Sequence, residues 1–288
     1  LRVSNLRDST FSGCTALTSI KLPDKLESIE MFAFSDCKHL ASITIPENTT
    51  KIDDYTFNSC NNLRSISFPA SIKSISKMAV INTEWFSKQK NNGQLIIVNG
   101  ILIDGSSVTD TSIVLNDITS IADYAFRGCS GITKIIIPES VESIGNYAFS
   151  SCTSLEDVVI NGTPKYGKGV FSESDNLKKI VANDPMCTYP TGITSFAVVY
   201  GYSGSPFQMG ADGNENPFVS LGEMPKVEYY DTTTSTTSST IASTTVTTTK
   251  DPDTIYVQVG QQLRYEELAN RVKIKEYKGS FHWVTKVV

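Results

Sequence analysis

The residues of this chain with the most chemistry to offer are its six cysteines, and their spacing is regular. Cys14, Cys37 and Cys60 stand 23 residues apart, as do Cys129 and Cys152, and the gap from Cys60 to Cys129 is 69, three times 23. Thiols recurring in this way suit a metal column, a set of disulfides or a row of buried reduced thiols. Disulfides need side chains aimed at one another, whereas stacked repeats hold their Cβ vectors parallel. Metal sites usually draw two ligands from one turn, as in C-x2-C, and no such pair occurs. Buried thiols serving as small apolar wedges are therefore the expectation. Cys187 lies off the period and has no partner assigned.

Other reactive groups converge less. His39 and His282 are the two histidines, far apart, which leaves little for a multi-histidine centre or a Ser-His-Asp relay. Asp212-Gly-Asn-Glu-Asn-Pro-Phe-Val-Ser-Leu-Gly-Glu223 sets oxygen ligands in the order of a calcium loop. Pro217 stands where the sharp turn needs Gly, and no amphipathic helices flank it, so no metal and no cofactor is assigned. Asp53-Asp54 and Glu266-Glu267 are adjacent pairs and read as solvated charge, not as a glycosidase pair. Gly201, Gly204 and Gly210 form neither G-x-G-x-x-G nor a P-loop. Asn48-Thr-Thr and Asn161-Gly-Thr are formal glycosylation sequons. No catalytic residue emerges, and the chain is expected not to be an enzyme. With 25 Lys+Arg against 30 Asp+Glu, a net charge of −5 and pI near 5.2, nothing favours a nucleic-acid partner. Apolar runs such as Leu95 to Val98 fall far short of the ~20 residues of a membrane span.

The elements that must position the cysteines follow from the residues that move with them. Phe11, Phe34, Phe57, Phe126 and Phe149 each lie three before a Cys, and Leu17, Leu40, Leu63, Ile132 and Leu155 three after. Ile20, Ile43, Ile66, Ile135 and Val158 come next, then Leu22, Ile45, Phe68, Ile137 and Ile160, with Pro at 23, 46, 69 and 138. In L-x-x-I-x-I the apolar residues of a short strand point inward, and the following Pro, which cannot donate to a ladder, ends it. The A-F-x-x-C-x-x-L spacing of 3 and 3 suits a turn of helix or 3₁₀ with Phe, Cys and Leu on the inner side. A second apolar pair, such as Leu26 with Ile29 or Val141 with Ile144, closes each coil. No unit buries its own apolar face, but stacking does so for all of them. The pattern predicts a right-handed solenoid with parallel strands about 4.8 Å apart.

SIEMFAFSDCKHLASITIP (28–46), SIADYAFRGCSGITKIIIP (120–138) and SIGNYAFSSCTSLEDVVI (143–160) closely resemble BspA-like leucine-rich repeats. LIIVNGILIDGS (95–106) resembles an irregular coil of that family, and residues 72–117 span two periods, expected as divergent coils with Trp85 and Phe86 on a bulge. The unit from Val170-Phe171 to Ile180 has Ser174 in place of Cys and is one residue short. The resemblance covers residues 1–224, with 184–224 as a terminal cap. It implies a secreted or cell-surface bacterial protein whose repeats form a binding scaffold without one shared activity.

Residues 232–249 hold 11 Thr and 4 Ser, too little apolar surface to offset chain entropy. A linker is expected over 225–250, and a small or truncated β-rich segment over 251–288, with a short helix at Tyr265–Arg271. Val3 and Leu6 match Leu26 and Ile29, so the chain is expected to begin inside a repeat, as a fragment.

Binding is sought on the outward strand residues. One column reads Lys21, Thr44, Ser67, then Ile136, Val159 and Val181; its companion reads Ser19, Ser42, Ser65, then Lys134, Asp157 and Lys179. The polar half passes to a β-branched half that suits a protein partner, unless the insertion or the terminal segment covers it. The leading expectation is a non-catalytic adhesion module contacting host or neighbouring-cell proteins, with carbohydrate left open as a ligand. The alternative is a spacer carrying an enzyme or carbohydrate-binding domain outside this chain.

Overall fold

A computed structural model describes residues 3–90 and 93–224, together with the backbone of Val246–Thr248 and Ile255–Val257. The chain divides into two units, Leu1–Leu221 and Gly222–Val288. In the second, Val246–Thr248 pairs antiparallel with Ile255–Val257. The expected helix at 265–271 and most of the Thr-rich tract lie outside the described residues.

In the first unit the chain forms, in order, β1 (Asn5–Leu6), β2 (Ser28–Ile29), β3 (Ser42–Thr44), β4 (Lys51–Ile52), β5 (Ser65–Ser67), β6 (Ser74–Ile75), α1 (Lys77–Val80) and α2 (Glu84–Lys90). Then follow β7 (Ile96–Val98), β8 (Ile101–Asp104), β9 (Ser112–Val114), β10 (Ser120–Ile121), β11 (Lys134–Ile137), β12 (Ser143–Ile144), β13 (Asp157–Ile160) and β14 (Lys165–Tyr166). β15 (Lys179–Ala182), β16 (Val198–Ser203) and α3 (Pro206–Gly213) follow, and β17 (Phe218–Glu223) begins in this unit and runs two residues past its boundary. These elements wind into a solenoid of about 10 turns.

Three ladders tie each regular coil to the next. The long strands β3 and β5 pair in parallel, as do β9, β11, β13, β15 and β16 within a six-stranded sheet ordered β17-β16-β15-β13-β11-β9. The Ser-Ile strands pair as β1-β2-β4-β6 and as β14-β12-β10-β8-β7. At the turns the N–H of Phe11, Phe34, Phe126 and Phe149 donates to the carbonyl of Ala33, Thr56, Ala148 and Val170, one coil on. Within a turn, Cys37 N–H donates to Phe34 and Leu40 N–H to Cys37, so the spacing of 3 is the spacing of the turn bonds. The turns are not one continuous helix: Phe32 and Asp36, like Tyr147 and Ser151, have positive φ and bend the chain on each side of Phe34 and Phe149. Pro46, Pro69 and Pro138 follow the ends of β3, β5 and β11 as expected, whereas the strand expected before Pro23 does not form; the carbonyls of all four prolines accept the N–H three residues on.

The regularity fails over 72–117. Ser76 caps α1 through its hydroxyl, and Trp85 and Phe86, expected on a bulge, lie in α2. Asn99 and Gly100, at φ 49° and 78°, form the two-residue turn of an antiparallel hairpin, β7 with β8. Two periods do elapse, but unequally: Leu102 takes the place of Ile75, 27 residues on, and Ile121 follows after only 19. β8 pairs with β10 on one edge and β7 on the other, so β6 ends its sheet and both strand ladders break at one seam.

The core divides at the same place. One buried cluster runs from Leu6 to Ala122 and includes Ile101 and Ile103; the other runs from Leu102 to Ala211. β8 is buried at all four positions and alternates between the two, a strand with a core on each face. Across the seam, Lys77 makes a buried ion pair with Asp104, and Asn99 Nδ2 donates to the Pro69 carbonyl at 2.7 Å.

Candidate protein-binding face

The outward columns become physical rows in the six-stranded sheet. Ile136 pairs with Val159, Val159 with Val181, and the row extends at both ends, to Val114 on β9 and Tyr200 on β16. Neither end residue is marked by a repeat cysteine, although the S-I-V of 112–114 and the V-V-Y of 198–200 carry the strand pattern. Val114 is 52% exposed; Ile136, Val159, Val181 and Tyr200 are half-buried among their row neighbours. Beside it runs Ser112, Lys134, Asp157, Lys179 and Val198. The Lys179 ammonium lies over the Tyr200 ring, 4.9 Å from its centre, and so ties the charged row to the apolar one.

The other half of the expected face is separate. Thr44 and Ser67 are exposed neighbours on β3 and β5, and exposed Lys21 belongs to no strand. The seam parts these three from the apolar row. The insertion is held against the polar half: Trp85 N–H donates to the Leu63 carbonyl at 2.7 Å, its ring meets Phe68 edge-on at 5.4 Å, and Phe86 is buried.

The repeat core is a column of rings backed by thiols. Phe11, Phe34 and Phe57 stack at 5.3 and 5.7 Å, and Phe126, Phe149 and Phe171 at 5.0 and 5.4 Å. Each following thiol reaches back a coil: Cys37 Sγ donates to the Phe11 carbonyl, Cys60 to Phe34 and Cys152 to Phe126, at 3.2, 3.0 and 3.1 Å, and Cys129 reaches Gly105 at 3.7 Å. All six cysteines are free, and Cys14 is exposed. Burial pushes the thiols of Cys60 and Cys152 up to about 12 and those of Cys37, Cys129 and Cys187 up to about 11, the opposite of what a nucleophile or metal ligand needs. Off-period Cys187 meets the Tyr166 hydroxyl at 3.3 Å.

The calcium-like loop is a plug. Asp212 lies in α3, and buried Asn216 gives its amide hydrogens to the carbonyls of Thr194 and Ala197, both at 2.8 Å, while Tyr189 and Asn214 donate to its oxygen. Among the described residues no three His, Cys, Asp or Glu stand close enough to hold a metal ion, and no helix is long and apolar enough to cross a membrane. His39 is exposed, as its variable position suggests.

Sequence reasoning overlooked the Ser-Ile side. There a cleft of about 430 Å³ is lined by Lys51, Asp53 and Asp54 from one side of the seam and by Ser120, Ile121 and Asp123 from the other. Asp53 is paired with Lys51 at 2.8 Å, and Asp123 accepts from the Asn146 N–H and Nδ2 at 2.6 and 3.0 Å. Burial first, then Asp54 from across the seam and Asp123, push the Tyr124 phenol above its usual pKa. The repeat alone gives no sign of this, because the cleft exists only where the ladders break.

Short parallel strands stacked at a period near 23, with an inward L-x-x-I-x-I in the regular coils, define a leucine-rich repeat solenoid. Within that class the chain belongs to the BspA-type leucine-rich repeat family, whose model matches it in 6 copies over residues 2–99 and 104–193. Solved structures similar to it include a leucine-rich repeat protein from Bacteroides ovatus, at 26% identity over 71% of this chain and 56% of that one, with a TM-score of 0.36. A leucine-rich cell surface protein from Faecalibacterium prausnitzii is 20% identical over 77% of both chains, TM-score 0.36. The pneumococcal vaccine antigen PcpA is 17% identical over 68% and 71%, TM-score 0.30. This chain spans little more than half the length of the Bacteroides protein. Among curated proteins none matches.

Proposed function

We propose that this solenoid is a non-catalytic protein-binding module of a secreted or cell-surface bacterial protein, which adheres to host or neighbouring-cell proteins through its six-stranded sheet. The supporting observation is the row Val114, Ile136, Val159, Val181 and Tyr200, five apolar side chains in unbroken register on the outward side of the sheet. Aligned apolar side chains beside a charged row give the core and rim of a protein contact. The reading is also supported by the repeat family.

Pull-down against matrix proteins and epithelial cells, with Ile136→Lys and Val159→Lys alongside the unmodified chain, tests it. Both variants are expected to lose at least tenfold in retention, because each puts an ammonium into the apolar row. Retention equal to the unmodified chain overturns the face.

A further inference from the structure

We infer that the partner element of this face is an amphipathic α-helix lying across the strands, with acidic side chains against Lys134 and Lys179 and a basic one against Asp157. The inference rests on the proposed protein-binding role of the sheet and adds the kind of partner.

Spacing decides between a helix and an extended segment. The apolar row takes one side chain from each of five adjacent strands, so its members repeat at the inter-strand distance of about 4.8 Å and cover about 19 Å. The stripe of an amphipathic helix repeats once per turn, about 5.4 Å, and over four intervals drifts from the row by about 2.4 Å. An extended chain presents one face every two residues, about 6.7 Å, and over the same length drifts by about 8 Å, more than a whole strand. A helix of about 13 residues therefore keeps one turn per strand along the row.

Charge orients it. The companion row lies two residues along the strands, about 6.7 Å to one side, which places Lys134, Asp157 and Lys179 along one flank of a helix about 10 Å wide. Their order is positive, negative, positive at one-strand intervals. Side chains at i, i+4 and i+7 of the partner meet them in turn, and acidic, basic, acidic is the complementary set. A uniformly acidic helix meets Asp157 with like charge and is disfavoured.

Two displayed libraries panned against the whole chain test this. One randomises a face of a stable helical scaffold; the other holds linear peptides of about 15 residues with prolines placed to bar helix formation. Binders are measured on the unmodified chain, on Ile136→Lys, on Val159→Lys and on the double variant Lys134→Glu/Lys179→Glu, each variant first shown to melt like the parent. The expected result is helical binders that weaken at least tenfold on either apolar-row variant and on the double variant, with affinity restored to the double variant when their flanking acids become lysines. Binders that depend on Ile136 but come only from the proline library overturn the helix and leave the binding face standing. Binders from neither library depending on Ile136 or Val159 overturn both. Helical binders indifferent to the charge reversal overturn the charge pattern.

Discussion

Cys60 and Ser174 occupy the same place in their coils and do the same thing: each side chain donates to the phenylalanine carbonyl one coil earlier, Phe34 in one case and Phe149 in the other. The repeat position thus asks for a small side chain with one hydrogen to give, which the apolar-wedge reading misses because an inter-coil bond leaves no mark on a one-dimensional pattern. Cys152→Ser should cost at most about 1 kcal/mol at neutral pH, and Cys152→Ala about 1–2, measured by urea unfolding. Native protein should expose one thiol, Cys14, to an aromatic disulfide reagent, and all six after denaturation. Thiols raised by burial to about 11–12 when folded, against about 8.5 when unfolded, set a sign for pH: their contribution is fully present below the unfolded value and is lost as pH rises through the folded one. The urea midpoint should therefore fall between pH 8.5 and 11, and fall less in a Cys60→Ser/Cys152→Ser variant. Lys77 and Asp104 make a second residue-scale prediction. The pair is buried, and Ser106 Oγ is within 2.9 Å of both carboxylate oxygens. Lys77→Met should cost about 3–5 kcal/mol by leaving a buried charge alone, and Lys77→Met/Asp104→Leu should recover most of it.

At the scale of elements, the hairpin is where sequence and structure part. Coils with a cysteine are legible in detail because Phe, Cys, Leu and Ile report one another's positions; the total of two periods over 72–117 is legible too. Its division into 27 and 19 is not, because it depends on β7 folding back instead of continuing the coil. A local signal exists, the Asn99-Gly100 pair between Ile-rich runs, and the expectation of a regular period outweighs it. The outward face divides in the same manner: register links Ile136, Val159 and Val181, while only the folded seam separates them from Thr44 and Ser67. Past the hairpin, Gly105 takes a place with no room for a side chain, since a Cβ there would lie 1.9 Å from Phe126 Cε1. Phe126 cannot retreat, being stacked on Phe149. Gly105→Ala should lower stability by about 1–3 kcal/mol or more, whereas Gly131→Ala, with nothing within 4 Å, should stay within about 0.5.

For the solenoid as a whole, two cores separated by β8 imply two cooperative blocks within one unit. Hydrogen exchange should report them as separate sets of amides. Phe34→Ala, expected to cost about 3–5 kcal/mol, should speed exchange before β8 and leave the coils after β9 protected; Phe149→Ala should do the reverse. Loss of protection along the whole solenoid in either variant would show a single block instead. The seam also has a bearing on tension, which a protein gripping one surface while attached to another would feel. Pulled end to end, regular coils share load through three ladders, but between β6 and β8 the described residues offer a buried ion pair, the Asn99 bond and apolar contact in place of a strand ladder. That joint is expected to yield first under such a load, before the coils bearing the apolar row lose their shape.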